Sequence, residues 1–368
     1  VRRGESGGGS LADVGEFAFI ERVARRFGGE LLPGEVGIGD DAALLRPPAG
    51  RLALSTDLLV EGTHFDLRYA RPAELGWKAL SANLSDLAAV GARPLWYLAA
   101  LAAPPGTAVR DLTAFFAGMA QAAAPAGMRL VGGDTCRGDR LVVALTVAGA
   151  VSPGRMVRRR GARPGDLLYV TGAPGWSHLG FLLLRGGRPA RPAGWKREAM
   201  RRHLLPAARW REGLAAAQSG AVSAMIDISD GLLADLGHLL DAAEAGAVLD
   251  ERAFRLSPRF REAARALGVD PLSAFLAGGE DYELLMAVRP HRHDAFRRAA
   301  RTFPAGAFPI GAVTAARGIR VRRADGSWLS GDDLPEGFSH FAPGPRARGA
   351  PRGAAAAGRA PGGRRGRP

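Results

Sequence analysis

Three apolar runs in this sequence close on aspartate: RLALSTD (51–57), MRLVGGD (128–134) and AVSAMID (221–227). Apolar runs this short read as strands passing through a core. A carboxylate that closes such a run lands on the rim of the sheet, where α/β proteins bind their ligands. Other acids join them. GIGDDAALL (37–45) sets Asp40 beside Asp41, and Asp230 follows shortly after Asp227. Asp86 lies on a stretch with helical spacing, PAELGWKALSANLSDLAAVGA (72–92), one turn from Asn83 and flanking the stripe Leu80, Leu84 and Leu87. A single Asp-Asp pair is equally at home in a solvated turn. Repetition is what counts here, because so many acids on one rim repel each other unless divalent cations screen them. Hard Mg²⁺ takes oxygen ligands and commonly joins one or two carboxylates to substrate phosphates.

The surrounding elements alternate between strand-like and helix-like. DLTAFFAGMAQAAAPAG (111–127) and GLLADLGHLLDAAEAG (231–246) have helical spacing, the second closed by Gly246. LVVALTVAGAV (141–151), LLYVTG (167–172), YELLMAV (282–288) and FPIGAV (308–313) read as strands, and MRLVGGD as a strand into a glycine turn. SPGRMVRRRGARPGD (152–166) suits an interdomain loop, so two α/β domains are expected to meet near residue 155, over 14–151 and 152–343. Residues 1–13 and the Arg/Ala/Gly/Pro-rich tail 344–368 read as disordered extensions.

Charge and composition exclude several classes. The formal net charge is +14, but the tail alone carries seven arginines and no acid, and of 50 basic residues only Lys78 and Lys196 are lysine. The basicity is a compositional habit of the whole chain, so nucleic acid is not an expected partner beyond weak contact through the tail. No apolar run approaches the roughly 18 residues of a membrane span, and no secretory h-region follows the N-terminal arginines. The lone Cys136 excludes a disulfide framework and fits a reducing cytoplasm. No Walker-type lysine loop, dinucleotide-binding glycine motif or zinc-binding histidine pair is present.

The neighbours of the acids point to phosphate. VGGDT (131–135) and DISDGL (227–232) combine small residues, backbone N–H groups and a hydroxyl, although Ser229 or Asp230 could equally cap a helix. His64, in VEGTHF (60–65), is polar and loop-placed, which favours ligand contact. The arginines 158–160 are either a solvated loop or a grip on triphosphate. AGGEDYEL (277–284) offers Glu280 and Asp281 as site or turn.

Together with GEFAFIERV (15–23), STDLLVEGTHF (55–65), NLSDLAAVGARP (83–94) and GGEDYEL, these motifs resemble the thiamine-monophosphate kinase family in wording, order and spacing, from about Gly15 to Pro343. Single motifs are shared with the wider superfamily that includes aminoimidazole ribotide synthetase, selenophosphate synthetase and the hydrogenase-maturation dehydratase. The resemblance implies a two-domain α/β fold of the aminoimidazole ribotide synthetase type, a homodimer formed through the N-terminal sheets, and an active site between the domains. It implies ATP-dependent phosphorylation of thiamine monophosphate to thiamine diphosphate, with several Mg²⁺ ions and no dedicated base. Carried over by position, Asp40, Ser55, Thr56, Asp57, Asp86, Asp134, Asp227 and Asp230 match metal positions. Gly133, Asp134, Arg159 and Ser229 match ATP contacts. His64, Glu280 and Phe338 match the thiamine-phosphate pocket, Phe338 standing where the family commonly has Trp or Tyr. A selenophosphate synthetase needs a reactive Cys in a glycine-rich N-terminal stretch, and a hydrogenase-maturation enzyme ends in a Cys-bearing tail; this chain has neither.

Overall fold

The computed structural model describes residues 9–337. The expectations for residues 1–8, for Phe338 and for the tail lie outside these. The chain opens with helices α1 (Leu11–Val14) and α2 (Glu16–Phe27), followed by strand β1 (Arg51–Val60), helix α3 (Pro72–Ala89), β2 (Arg93–Ala103), α4 (Val109–Ala123), β3 (Arg129–Arg137) and β4 (Val142–Val151). These strands form one sheet in the order β1-β4-β2-β3, antiparallel except for the β2–β3 pair. Period-two alternation sorts β1 by face: Ala53, Ser55, Asp57 and Leu59 turn inward, while Leu52, Leu54, Thr56 and Leu58 are exposed.

A second sheet follows. Its elements are β5 (Leu167–Thr171), α5 (Trp176–Arg185), α6 (Gly194–Leu204), α7 (Trp210–Ser219), β6 (Val222–Ile228), α8 (Leu232–Asp241) and β7 (Gly246–Asp250), then α9 (Pro258–Ala266), α10 (Pro271–Ala277), β8 (Glu283–Val288), α11 (His293–Ala300), β9 (Ala307–Thr314), β10 (Gly318–Arg322) and β11 (Trp328–Ser330). The strand order is β11-β10-β7-β9-β5-β8-β6. β6 and β8 are buried along their whole length, which is why both read as nearly continuous apolar runs.

Helix α3 serves both halves. Pro72 occupies the first turn, where its missing N–H costs nothing, and the Glu74 carboxylate accepts the Arg71 N–H at 2.9 Å. Leu75, Leu80, Leu84 and Leu87 pack into the core of the first sheet, whereas Ala88 and Ala89 belong to an apolar cluster with Tyr169, Ala216 and Met225 of the second. Its close seat on α4 depends on two glycines. A Cβ on Gly76 would lie 1.9 Å from the Phe115 carbonyl oxygen, and one on Gly118 equally close to that of Ala73.

Several expectations change. Asp57 and Asp134 do not close their strands, because ladder pairing carries β1 to Val60 and β3 to Arg137; only Asp227 sits next to a strand end. VGGDT is no turn. Gly133 is in the β2–β3 ladder, where a Cβ would meet the Ala99 carbonyl oxygen at 1.9 Å. Of the extension expected over residues 1–13, residues 9–13 are built into the fold: Ser10 caps α1, and the Leu11 N–H reaches the Thr107 carbonyl at 3.0 Å. The loop 152–166 is docked, with Val157 buried and the Met225 N–H donating to the Arg158 carbonyl at 3.1 Å.

Replacing Gly76 by Ala forces α3 and α4 apart and should lower stability by about 2–4 kcal/mol. The control is Gly237 on α8, where an added Cβ meets nothing within 4 Å, so Ala should be neutral or stabilising by about 0.5 kcal/mol. Urea midpoints of the two variants check this.

Candidate active site

The inward face of β1 and one side of α3 bring polar groups together in an otherwise apolar interior. The Ser55 hydroxyl donates to Asp86 Oδ2, tying strand to helix. Burial, with the Asp86 charge second, pushes the Asp57 carboxyl up to about 6. Asp86 itself is raised by burial, while the Ser55 hydroxyl and the Arg159 guanidinium pull the other way. Asp227, from β6, is pushed up to about 7 by burial and then by Asp86, with the Ser85 hydroxyl opposing. Tyr282 faces the same group: burial and the charges of Glu280, Asp57, Asp227 and Asp86 hold its phenol well above the usual range. Three carboxylates from three elements therefore share one poorly solvated region at strong mutual cost.

These donors are all oxygens, the set that suits a hard divalent cation. Among the described residues no three His, Cys, Asp or Glu side chains converge closely enough to hold an ion. Phosphate and water oxygens would have to complete its shell, as Mg²⁺ ordinarily requires.

Beside the three acids runs the segment 278–282. Glu280 and Tyr282 have φ of 61° and 52°, the left-handed region that ordinary residues avoid. Such backbone persists where its surroundings over-determine it. Here the Glu280 N–H donates to the Ser229 carbonyl at 2.6 Å and the Tyr282 N–H to that of Ile228 at 2.8 Å. Asp281, buried and pushed up to about 8, accepts the Gly175 and Ser177 N–H groups that start α5. Glu280 behaves in the opposite way. Burial raises its carboxyl, but the Lys78 ammonium, 2.7 Å away, outweighs burial and holds it below its usual value. His64 Nδ1 accepts the Val60 N–H at 3.0 Å, which leaves a proton on Nε2 in the neutral ring.

The structure thus gathers Ser55, Asp57, Asp86, Asp227 and Arg159, and sets Glu280 near His64. Other expected residues stand elsewhere. Thr56 turns its hydroxyl to the outward face, where it donates to the Leu145 carbonyl at 2.9 Å. Asp134 pairs with Ala100 in the ladder and is exposed on that same face. Asp40 is exposed in a loop anchored by Glu35, whose carboxylate pairs with Arg129 of β3 at 2.7 Å. Ser229 and Asp230 adjoin Asp227, yet the backbone donors expected to greet phosphate are engaged. The N–H groups of Ser229, Asp230 and Gly231 all donate to Asp235 Oδ2, at 2.9, 3.1 and 3.2 Å. Burial, then Asp230, push Asp235 up to about 7. Sequence reasoning missed Asp235, although an acid in the first turn of a helix four residues after a glycine is a visible cue.

The two halves match family models described as AIR synthase related protein, N-terminal domain (residues 39–151) and C-terminal domain (residues 163–323). The chain is 40% identical over 287 residues to the thiamine-monophosphate kinase of Escherichia coli K12, covering 74% of this chain and 82% of that protein. The solved thiamine-monophosphate kinase of Stenotrophomonas maltophilia K279a superposes with a TM-score of 0.73 at 34% identity, covering 85% of this chain and 98% of the other. The structure of AaThiL complexed with AMPPCP and TMP gives 0.70 at 31% identity, covering 90% and 98%.

The raised carboxyls make a stability prediction. Asp57 and Asp227 titrate higher in the folded chain than in the unfolded one, so the folded state holds protons that the unfolded state releases. Their penalty is absent below about pH 4, builds above it and levels off past about 6 for Asp57 and about 7 for Asp227. In chelator, Asp227→Asn should match the wild type at pH 4 and exceed it at pH 8 by on the order of 3 kcal/mol. Denaturant titrations that run parallel at both pH values would remove the crowding argument.

Proposed function

The chain belongs to the thiamine-monophosphate kinases, within the AIR synthase related proteins, and on that premise we propose that it transfers the γ-phosphoryl group of ATP to thiamine monophosphate, giving thiamine diphosphate. The observation that carries the reading is the buried crowd of Asp57, Asp86 and Asp227, which makes physical sense as a holder of cations. Bound there, Mg²⁺ would neutralise phosphate charge during transfer.

In this reading Asp57, Asp86 and Asp227 hold the metals with Ser55. Asp40 and Asp230 complete the set, and Thr56 joins through its carbonyl, since its hydroxyl is on the other face; Asp134, whose side chain is on that outward face too, is left out of it. Arg159, already beside Asp86, steadies the nucleotide's phosphates together with Gly133 and Ser229. His64 and Glu280 bind the acceptor, and Phe338 stacks on it. The acceptor's phosphate oxygen is nucleophilic without loss of a proton to a base, so the chain's task is alignment and charge compensation. That fits a site with many carboxylates, whose histidine at the acceptor end is held by a backbone N–H on its Nδ1.

The assembly proposed is a homodimer. Leu52, Leu54, Leu58 and Leu98 are all exposed on the outward face of the first sheet, and a second copy would cover them. Among the described residues no helix is long and apolar enough to cross a membrane, and Cys136 is an exposed free thiol; the proposed location is the cytoplasm.

Purified protein supplied with ATP and Mg²⁺ should convert thiamine monophosphate to the diphosphate while leaving free thiamine essentially untouched. Free thiamine presents a hydroxyl one phosphate short of the metals, with no base placed to take its proton. Asp86→Asn should cut turnover by at least about a hundredfold, the scale of one lost charge contact in the transition state. Chromatography of the products checks both statements; equal rates on the two acceptors would refute the phosphate-positioning mechanism.

A further inference from the structure

Lys78 is almost fully buried, at 4% exposure, in a chain whose other basic residues are, Lys196 apart, arginine. A buried ammonium is costly unless paired. Its Nζ lies 2.7 Å from Glu280 Oε1 and 3.3 Å from His203 Nε2. The contact joins the two halves of the molecule, since Lys78 is on α3, whereas His203 is on α6 and Glu280 precedes β8.

The protons in this cluster are fixed by what each group can do. An ammonium only donates, so His203 Nε2 accepts and the ring carries its proton on Nδ1. Nδ1 faces Ser177 Oγ at 3.2 Å and Glu280 Oε2 at 3.5 Å. Burial, with the Lys78 charge next, pushes His203 down to about 3, so the ring stays neutral. One full positive charge therefore meets one carboxylate. Oε1 of Glu280 is committed to it, while Oε2 is beyond good hydrogen-bond reach of Nδ1, and 34% of the side chain remains exposed. The strained backbone of Glu280, pinned to Ser229, holds that open edge in place.

We propose that Lys78 is a positioning residue for the acceptor: by gripping Glu280 Oε1 across the two halves, it aims Oε2 at an N–H-bearing heteroaromatic ring of that acceptor. This rests on the reading that Glu280 lines the acceptor pocket. Lys78 also keeps Glu280 ionised. The other titratable groups facing this carboxylate are His64 and Tyr69 from the segment between β1 and α3, His178 from α5, His203 from α6 and Tyr282 beside it. Burial pushes the His178 and His203 imidazoles down, so both rings are neutral, and Lys78 is the full positive charge in contact with Glu280. Without Lys78, burial would move Glu280 up towards protonation.

The test is steady-state kinetics with thiamine monophosphate and ATP varied in turn, for wild type, K78M, K78R, E280Q and the double variant K78M/E280Q. K78M should raise the acceptor KM about tenfold and leave the ATP KM within about twofold. That acceptor KM should climb further from pH 8 to pH 6 in K78M, as Glu280 takes up protons, but not in the wild type. K78R should restore most of the affinity. Adding K78M to E280Q should change the acceptor KM no further, because the lysine acts only through the carboxylate. Neither arm of this comparison is K78M alone, so it stands even if that variant does not fold. An acceptor KM unmoved in K78M, equal shifts in both KM values, or additivity on E280Q would overturn the inference while the wild-type activity stands. A wild type that does not phosphorylate thiamine monophosphate would overturn the proposed function, and this inference with it.

Discussion

Repulsion among Asp57, Asp86 and Asp227 is the constraint that the rest of the structure serves. Each is held where water is scarce, and their carboxyls are raised as a result. A fold can tolerate this only if other parts of it are stable enough to offset a few kcal/mol. Helix α3 supplies the means. It is packed into the cores of both sheets, and Gly76 and Gly118 let it lie against α4 at a separation that no side chain would permit. Asp86 cannot retreat to solvent without dismantling that packing.

The acids divide by their partners. Asp235 and Asp281 are also raised by burial, but each accepts two or three backbone N–H groups and anchors a segment: the loop after β6 and the start of α5. Glu280 and Glu283 are held low, because Lys78 and Arg209 more than compensate their burial. The trio at the centre has the Ser55 and Ser85 hydroxyls and the charge of Arg159 acting on Asp86, with no paired cation among the described ion pairs. A charge deficit of that kind is what the proposed cation site would relieve, and the neighbouring left-handed Glu280 and Tyr282 mark the same place by backbone strain.

Much of this was legible in the sequence. Helix α3 was expected over 72–92 and ends at Ala89, and the strands containing Asp57 and Asp227 were in the expected places. Composition and period reveal that a residue lies on a strand; they do not reveal how far ladder pairing will extend that strand. Asp134 and Thr56 therefore looked like neighbours of Asp57, yet pairing turns their side chains to the opposite face. Gly133 looked like a phosphate loop and proves necessary for two strands to approach. Lys78 was noted only as a lysine outside any Walker motif. Its role depends on His203 and Glu280, over a hundred residues away, and no local pattern encodes that meeting.

If the trio is a cation site held partly protonated by its own repulsion, filling it must expel protons. Calorimetric titration of Mg²⁺ with a non-hydrolysable ATP analogue, run at pH 6.5 in two buffers of different ionisation enthalpy, counts them. The account predicts that the wild type releases about one proton more than the Asp57→Asn, Asp227→Asn double variant, set by carboxyls near 6 and 7. Tight binding by the wild type with no such excess would contradict it.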